Sequence, residues 1–66
     1  MLHRITRQEA EEMDLDRLTY ELNHWTAIRQ RLAAICKGPT ADLIIAGDNQ
    51  IKIATRLRTY TQEVAR

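Results

Sequence analysis

The chain has 66 residues, a net charge of +1 and 44% hydrophobic residues, so it forms at most one small domain with a shallow core. Domains of this size are usually stabilised by disulfides, a metal or oligomerisation. A single cysteine excludes an internal disulfide, and His3 and His24 are too far apart in sequence to suggest a metal site, so we expect neither a metal nor another cofactor. Of these three means of stabilisation only oligomerisation is left, so we expect the chain to be a homodimer.

The sequence also bears on location. No apolar run approaches the ~20 residues that a membrane span needs, and the acidic residues after Thr6 are unlike a signal peptide. The lone Cys36, predicted on an apolar helix face, suits a reducing compartment. We therefore expect a cytoplasmic protein that does not contact a membrane.

The first predicted helix extends from about residue 7 to residue 36. Thr6 and Glu9 have the spacing of a capping box at its start. Asp14 is a competing N-cap, in which case residues 1–13 are a frayed arm and not a helix. The apolar stripe of this helix consists of Leu15, Leu18, Leu22, Trp25, Leu32 and Cys36.

Residues 37–40 predict a tight turn and the start of a second helix. Gly38 suits the left-handed position that follows a helix, Pro39 cannot continue a helix, and Thr40 is a good N-cap. The second helix extends from about residue 41 to residue 65. Its apolar stripe, in alternating steps of three and four, consists of Leu43, Ala46, Gln50, Ile53, Leu57, Tyr60 and Val64.

Gly47 interrupts this second pattern, and two interpretations are open. Together with the following Asp48 and Asn49, it could break the helix. Alternatively, its small size would let Trp25 or Leu32 of the first helix approach closely. A glycine inside a helix costs only ~1 kcal/mol, so a continuous helix is compatible with it.

The short connection forces the two long helices into an antiparallel hairpin, so the predicted fold is all-α. Opposite charges favour this pairing, because residues 1–28 carry three basic and six acidic side chains and residues 29–66 carry seven basic and three acidic. Two helices leave the flanks of both apolar stripes open, so a lone hairpin is a poor monomer. Two hairpins together would form a four-helix bundle.

The first helix carries a second line of residues nearly opposite its main stripe. Met13, Tyr20, Ala27 and Ala34 recur at a heptad spacing, and the two alanines would let another helix approach closely. This seam serves dimerisation or target binding, or else it is an exposed face on which Ala is simply a strong helix former. The predicted partner-binding residues on and beside it are Tyr20, His24, Ala27, Arg31 and Ala34.

The sequence predicts no catalytic residue. Glu21 lies one turn before His24 and could orient it, but no nucleophile lies within a turn of His24. Cys36 lies at a helix C-terminus, where the helix dipole opposes a thiolate, although Lys37 acts in the opposite direction. We therefore interpret Cys36 as a half-buried packing residue and expect a protein that is not an enzyme.

A helical hairpin with exposed apolar flanks is typical of a small regulator that binds another protein. We expect a homodimer that binds, and inhibits, a larger protein, as phage-encoded proteins that cap a host regulator do. The outline is also similar to that of the helical chaperones of type III secretion systems, which gives a further alternative. Both likenesses concern size and shape and assign no residue.

Nucleic-acid binding is the main alternative function. Five basic side chains lie near the turn and along the second helix: Arg29, Arg31, Lys52, Arg56 and Arg58. Duplicated in a dimer, they would form a phosphate-binding stripe, and the outline resembles that of the dimeric RNA-binding hairpins of the Rop type. The nearly neutral total charge favours an ordinary solvated basic face, so protein binding is the preferred interpretation.

Overall fold

The computed structural model describes residues 2–38 and 40–64, which form three α-helices. These are α1 (Arg7–Glu11), α2 (Leu15–Ile35) and α3 (Ala41–Val64). α2 and α3 pack against each other as a hairpin in a body of 44 × 19 × 14 Å, and the described ranges contain no β-strand. The prediction of an all-α chain with two long, packed helices is confirmed.

The chain breaks its first helix at residues 12–14, whereas the pattern predicts one helix from residue 7 to residue 36. Asp14 has extended backbone (φ −82°, ψ 178°), and its Oδ1 accepts a hydrogen bond from the backbone N–H of Arg17 at 2.8 Å. An N-cap residue is not itself helical, so this bond begins α2 and separates it from α1. The prediction of a single first helix is therefore wrong.

The five-residue α1 is held by the predicted capping box. The backbone N–H of Glu9 donates to Thr6 Oγ1 at 3.1 Å, and the backbone N–H of Thr6 donates to Glu9 Oε1 at 3.2 Å. Ile5 before the helix and Ala10 within it are both buried, the arrangement of a hydrophobic staple. This part of the chain is therefore packed and capped, and is not a frayed arm.

The Glu9 carboxylate makes this cap sensitive to pH. Hydrogen bonds from the His3 side chain, at 2.9 Å, and from the backbone of Thr6 lower the pKa of Glu9 below its ordinary value. Because the folded pKa is the lower one, the ionised carboxylate stabilises the fold above its unfolded pKa. That contribution is lost as the pH falls through the folded pKa.

We expect an NMR titration of the Glu9 side chain to give a pKa below that of an unstructured glutamate. In the His3→Ala variant the pKa of Glu9 should rise towards the ordinary value, because the largest cause of the shift is removed. The same titration midpoint in both chains would contradict this account of the cap.

The turn between the long helices differs from its prediction at Gly38. Cys36 ends α2 with extended backbone (φ −91°, ψ 136°), and no described residue has a positive φ. The predicted left-handed Gly38 is wrong, because the extended Cys36 already redirects the chain. Thr40 is the N-cap of α3 as predicted, since its Oγ1 accepts from the backbone N–H of Leu43 at 3.2 Å. The predictions that fall outside the described residues are Pro39 as a helix terminator and a helix end at residue 65.

The core lies between α2 and α3 and is closed on one side by N-terminal residues. Its buried members are Ile5, Ala10, Leu18, Trp25, Ala46 and Ile53. The partly buried residues packed against them are Leu2, Met13, Leu22, Ile28, Leu32, Leu57 and Tyr60. Leu15 and Val64, which the stripes place in the core, are 46% and 68% exposed because each lies at the end of its helix farthest from the turn.

Residues 2–6 and α1 form a third layer against α3. Residues 3–5 bond to residues 49–52, and α1 lies farther along the same helix, so this segment runs in the same direction as α3. A two-helix hairpin leaves both flanks open. Here the segment covers one flank of α3, which the sequence pattern does not predict.

Asn49, which is fully buried in α3, holds this segment by its backbone. Its side-chain Nδ2 donates to the carbonyl oxygen of His3 at 2.8 Å, and its Oδ1 accepts from the backbone N–H of Ile5 at 2.9 Å. Lys52 Nζ donates to the carbonyl oxygen of Ile5 at 2.6 Å. Both ends of the buried amide are therefore satisfied by main-chain groups, as a buried polar side chain requires.

Gly47 does not interrupt α3, which continues from Ala41 to Val64. A Cβ at this position would meet only Arg29, whose Nε lies 3.9 Å away. That distance is an ordinary van der Waals contact, so the small residue is not required for a close approach of Trp25 or Leu32. Of the two open interpretations, the continuous helix is the one observed.

Candidate functional site

The outer face of α2 presents all five predicted partner-binding side chains. Steps of four, three, four and three place them in one line on a continuous helix, and each of them is exposed. We call this surface the outer face of α2; its members are Tyr20, His24, Ala27, Arg31 and Ala34. It points away from the core residues of the same helix and is left free by both α1 and α3.

The aromatic end of this face is connected to the core by ring contacts. The ring of Tyr20, which is 60% exposed, stacks on His24 with 5.8 Å between centroids and an angle of 10°. His24 in turn meets buried Trp25 edge to face, at 5.2 Å and 78°. These are favoured aromatic geometries, and they connect the two exposed rings to a buried side chain.

Glu21 fixes the orientation of that support. Its Oε2 accepts from Trp25 Nε1 at 2.8 Å, and its Oε1 accepts from Arg17 Nε at 2.9 Å. The hypothesis that Glu21 orients His24 is wrong, because both carboxylate oxygens are used by other partners. The i,i+4 spacing of Arg17, Glu21 and Trp25 was the sequence signal for this network.

The other half of the outer face is made of small residues around one cation. Ala27 and Ala34 are exposed and one heptad apart, with exposed Arg31 between them. Helix axes approach most closely where the facing side chains are small, so this half suits the backbone of a second helix.

Met13 does not belong to this face, although its spacing places it on the same seam. It lies between α1 and α2 and packs against the core. The helical extrapolation from Tyr20 back to Met13 is wrong because the helix starts only at Leu15.

The five basic residues of the nucleic-acid alternative are placed on several surfaces. Arg29 bonds across the hairpin, where its Nη1 donates to Gln50 Oε1 at 2.9 Å. Arg31 on α2 and Arg58 on α3 are exposed. Lys52 and Arg56 lie beside α1, where Lys52 donates to the carbonyl of Ile5.

A groove of about 590 Å³ lies between α1 and α3. Its lining carries charges of both signs, with Arg7 paired to Glu11 at 3.1 Å, while Ala10 and Ile51 provide apolar wall. The guanidinium of Arg56 lies 5.8 Å from the centre of the Tyr60 ring, and its Nε is buried without a hydrogen-bond partner in the described structure. The sequence pattern does not indicate this groove, because α1 is not separate from α2 in the prediction.

No three His, Cys, Asp or Glu side chains of the described residues lie close enough together to hold a metal ion. No helix within residues 2–38 and 40–64 is long and apolar enough to cross a membrane. Comparison of the chain with protein-family models, with curated proteins and with solved structures gave no significant match.

Proposed function

We propose that this chain is a small, non-enzymatic regulatory protein that binds and blocks a larger protein in the cytoplasm, in the manner of phage-type regulators of a host protein. Its recognition surface is the outer face of α2, and its target is a helix of the partner. The supporting observation is the Tyr20–His24 stack on buried Trp25, which continues into the small residues Ala27 and Ala34. Aromatic side chains of this kind can anchor a partner, and the small alanine side chains let the backbone of a helix approach closely.

Self-association is a second part of the proposal. Two large apolar side chains of α3, away from the outer face of α2, are well exposed: Ile44 and Ile51. Burying them against a second copy, as in a four-helix bundle, would remove apolar surface from water at both chains. Assigning dimerisation to these residues leaves the outer face of α2 free for the target.

An arginine at Ala27 tests the recognition surface. The long, charged side chain would prevent a second helix from approaching, so we expect the Ala27→Arg variant to lose at least tenfold in affinity for a partner captured by the native chain. The helix should survive, because Arg is a good helix former and the site is exposed. Circular dichroism and titration calorimetry measure the two quantities.

Ala33→Arg is the matched control, since Ala33 is an exposed alanine of the same helix outside the outer face. Its affinity should equal that of the native chain. Equal losses at both positions, or a loss at Ala33 alone, would reject the outer face as the binding surface. If the captured partner is RNA or DNA and its affinity collapses between low and moderate salt, the nucleic-acid alternative replaces the proposal.

A further inference from the structure

The contacts between the N-terminal segment and α3 form an interface that is complete in itself. Asn49 and Lys52 bond to the backbone of residues 3–5, and Arg4 Nη1 makes an ion pair with Asp48 Oδ2 at 2.6 Å. Ile5 is buried in the same place. Residues 12–14 are the only covalent link between this segment and the hairpin, so the interface forms equally well whichever copy of the chain supplies the segment.

The link has the composition of a helix. Glu12, Met13 and Asp14 contain no glycine or proline, and Glu and Met are strong helix formers. The sequence pattern predicts one continuous helix across these residues, which the closed chain opposes by the N-cap bond of Asp14 to Arg17 and by the burial of Ile5 and Ala10. A chain in which α1 and α2 join into one helix loses the contacts of Ile5 and Ala10, and it regains them when its segment binds α3 of another copy.

In the joined form a chain cannot occupy its own site. A continuous helix rises 1.5 Å per residue, so it would carry Ile5 about 15 Å beyond Leu15 and away from the hairpin. Asn49 lies near the middle of α3, in the opposite direction. The site on α3 would then be empty, and the segment that fits it would be free.

We infer that two copies of this chain exchange their N-terminal segments, each segment binding Asn49, Lys52 and Asp48 of the other copy. The inference rests on the proposed self-association and specifies how it occurs. The contacts are the same within one chain and between two. The equilibrium between the closed monomer and the exchanged dimer therefore depends on the conformation of residues 12–14 and on the chain concentration. The exchanged dimer leaves the outer face of α2 exposed on both copies.

Leu15→Pro blocks exchange without altering the closed form. Leu15 is the first residue of α2, where proline is favoured, and Asp14 already has the extended backbone that a residue before proline needs. In a joined helix the same proline is internal and breaks it. Sedimentation equilibrium of the full chain at micromolar to millimolar concentration should give a dimer constant at least a hundredfold weaker for Leu15→Pro, with Leu15→Ala close to native.

Reversing the Arg4–Asp48 pair identifies the exchange directly. Arg4→Glu and Asp48→Arg each place like charges together, both within one chain and in a homodimer. A mixture of the two variants restores both ion pairs in an exchanged heterodimer only. Native mass spectrometry at low salt should therefore show about tenfold more heterodimer than random pairing gives, while the double variant dimerises like the native chain.

Each outcome decides the inference. Heterodimer enrichment with a weakened Leu15→Pro dimer supports it. Random pairing of the charge variants, or a native chain that stays monomeric at millimolar concentration, overturns it, and it does so even if Leu15→Pro fails to fold. A native dimer that Leu15→Pro leaves intact overturns the exchange and retains the proposed self-association.

Discussion

Replacing Ile53 with alanine is expected to lower the free energy of unfolding by about 2 to 5 kcal/mol. Ile53 is fully buried in α3, in the core cluster that includes Leu18 and Trp25. The loss combines the hydrophobic transfer of the deleted atoms with the cavity that they leave. Urea unfolding followed by circular dichroism, at a chain concentration at which the protein is monomeric, measures the change.

Ile51→Ala is the matched control, because Ile51 has the same side chain two residues away and is 63% exposed. Its effect should stay within ~0.5 kcal/mol. A chain this small has little stability to lose, so Ile53→Val, with an expected loss of about 0.5 to 1.5 kcal/mol, keeps the comparison measurable if the alanine variant unfolds. Equal losses at positions 51 and 53 would contradict the packing of α3.

Asn49→Ala is expected to cost about 1 to 3 kcal/mol, which is the usual cost of leaving one buried polar group unpaired. It removes the partner of the buried Ile5 N–H and that of the half-buried His3 carbonyl. The loss should be local in kind. The N-terminal segment should detach from α3 while the pairing of α2 with α3 persists, because those helices share most of the core.

Hydrogen exchange distinguishes detachment of the N-terminal segment from unfolding of the whole hairpin. The Ile5 amide should be protected in the native chain and exchange rapidly in Asn49→Ala, while amides in the middle of α2 stay protected. Asn23→Ala is the control, since Asn23 is exposed on α2, and it should leave Ile5 protected. An Ile5 amide that exchanges equally fast in the native chain and in Asn49→Ala would show that Asn49 does not hold the segment.

Local sequence signals were sufficient for most of the secondary structure. The capping box of Thr6 and Glu9 and the N-cap of Thr40 depend on residues a few positions apart, so a sequence pattern reports them directly. The helix break at Asp14 was visible as an alternative N-cap. Tertiary contacts decide between one long helix and a break at Asp14, because Ile5 and Ala10 become buried against α3 only when the chain turns at Asp14.

Long-range polar contacts could not be predicted. Asn49 bonds to groups more than forty residues earlier in the chain, and those groups are backbone atoms that carry no side-chain signature. An asparagine within a predicted helix is ordinarily assigned to the surface, whereas here it is fully buried. Gln50, placed by its spacing in the apolar stripe, is instead half-buried and bonded to Arg29 and Thr26.

The residues of the outer face of α2 could be selected from spacing alone, because one helix carries all of them. The stack of Tyr20 on His24 and the bond of Trp25 to Glu21 are i,i+4 contacts that a helix brings about wherever it forms. The scattered positions of the five basic residues follow from tertiary structure, since Arg29 bonds across to α3 and Lys52 is used by the N-terminal segment.

Photo-cross-linking within the cell that encodes the chain tests the central claim most directly. A benzoylphenylalanine in place of Tyr20, an exposed aromatic residue of the outer face of α2, should form an adduct heavier than two chains of 7.7 kDa each, which identifies a larger protein on that face. The same group at the exposed control position 33 should form little adduct. Heavy adducts at position 33 but not at position 20, or adducts at position 20 with the mass of two chains only, would contradict the account.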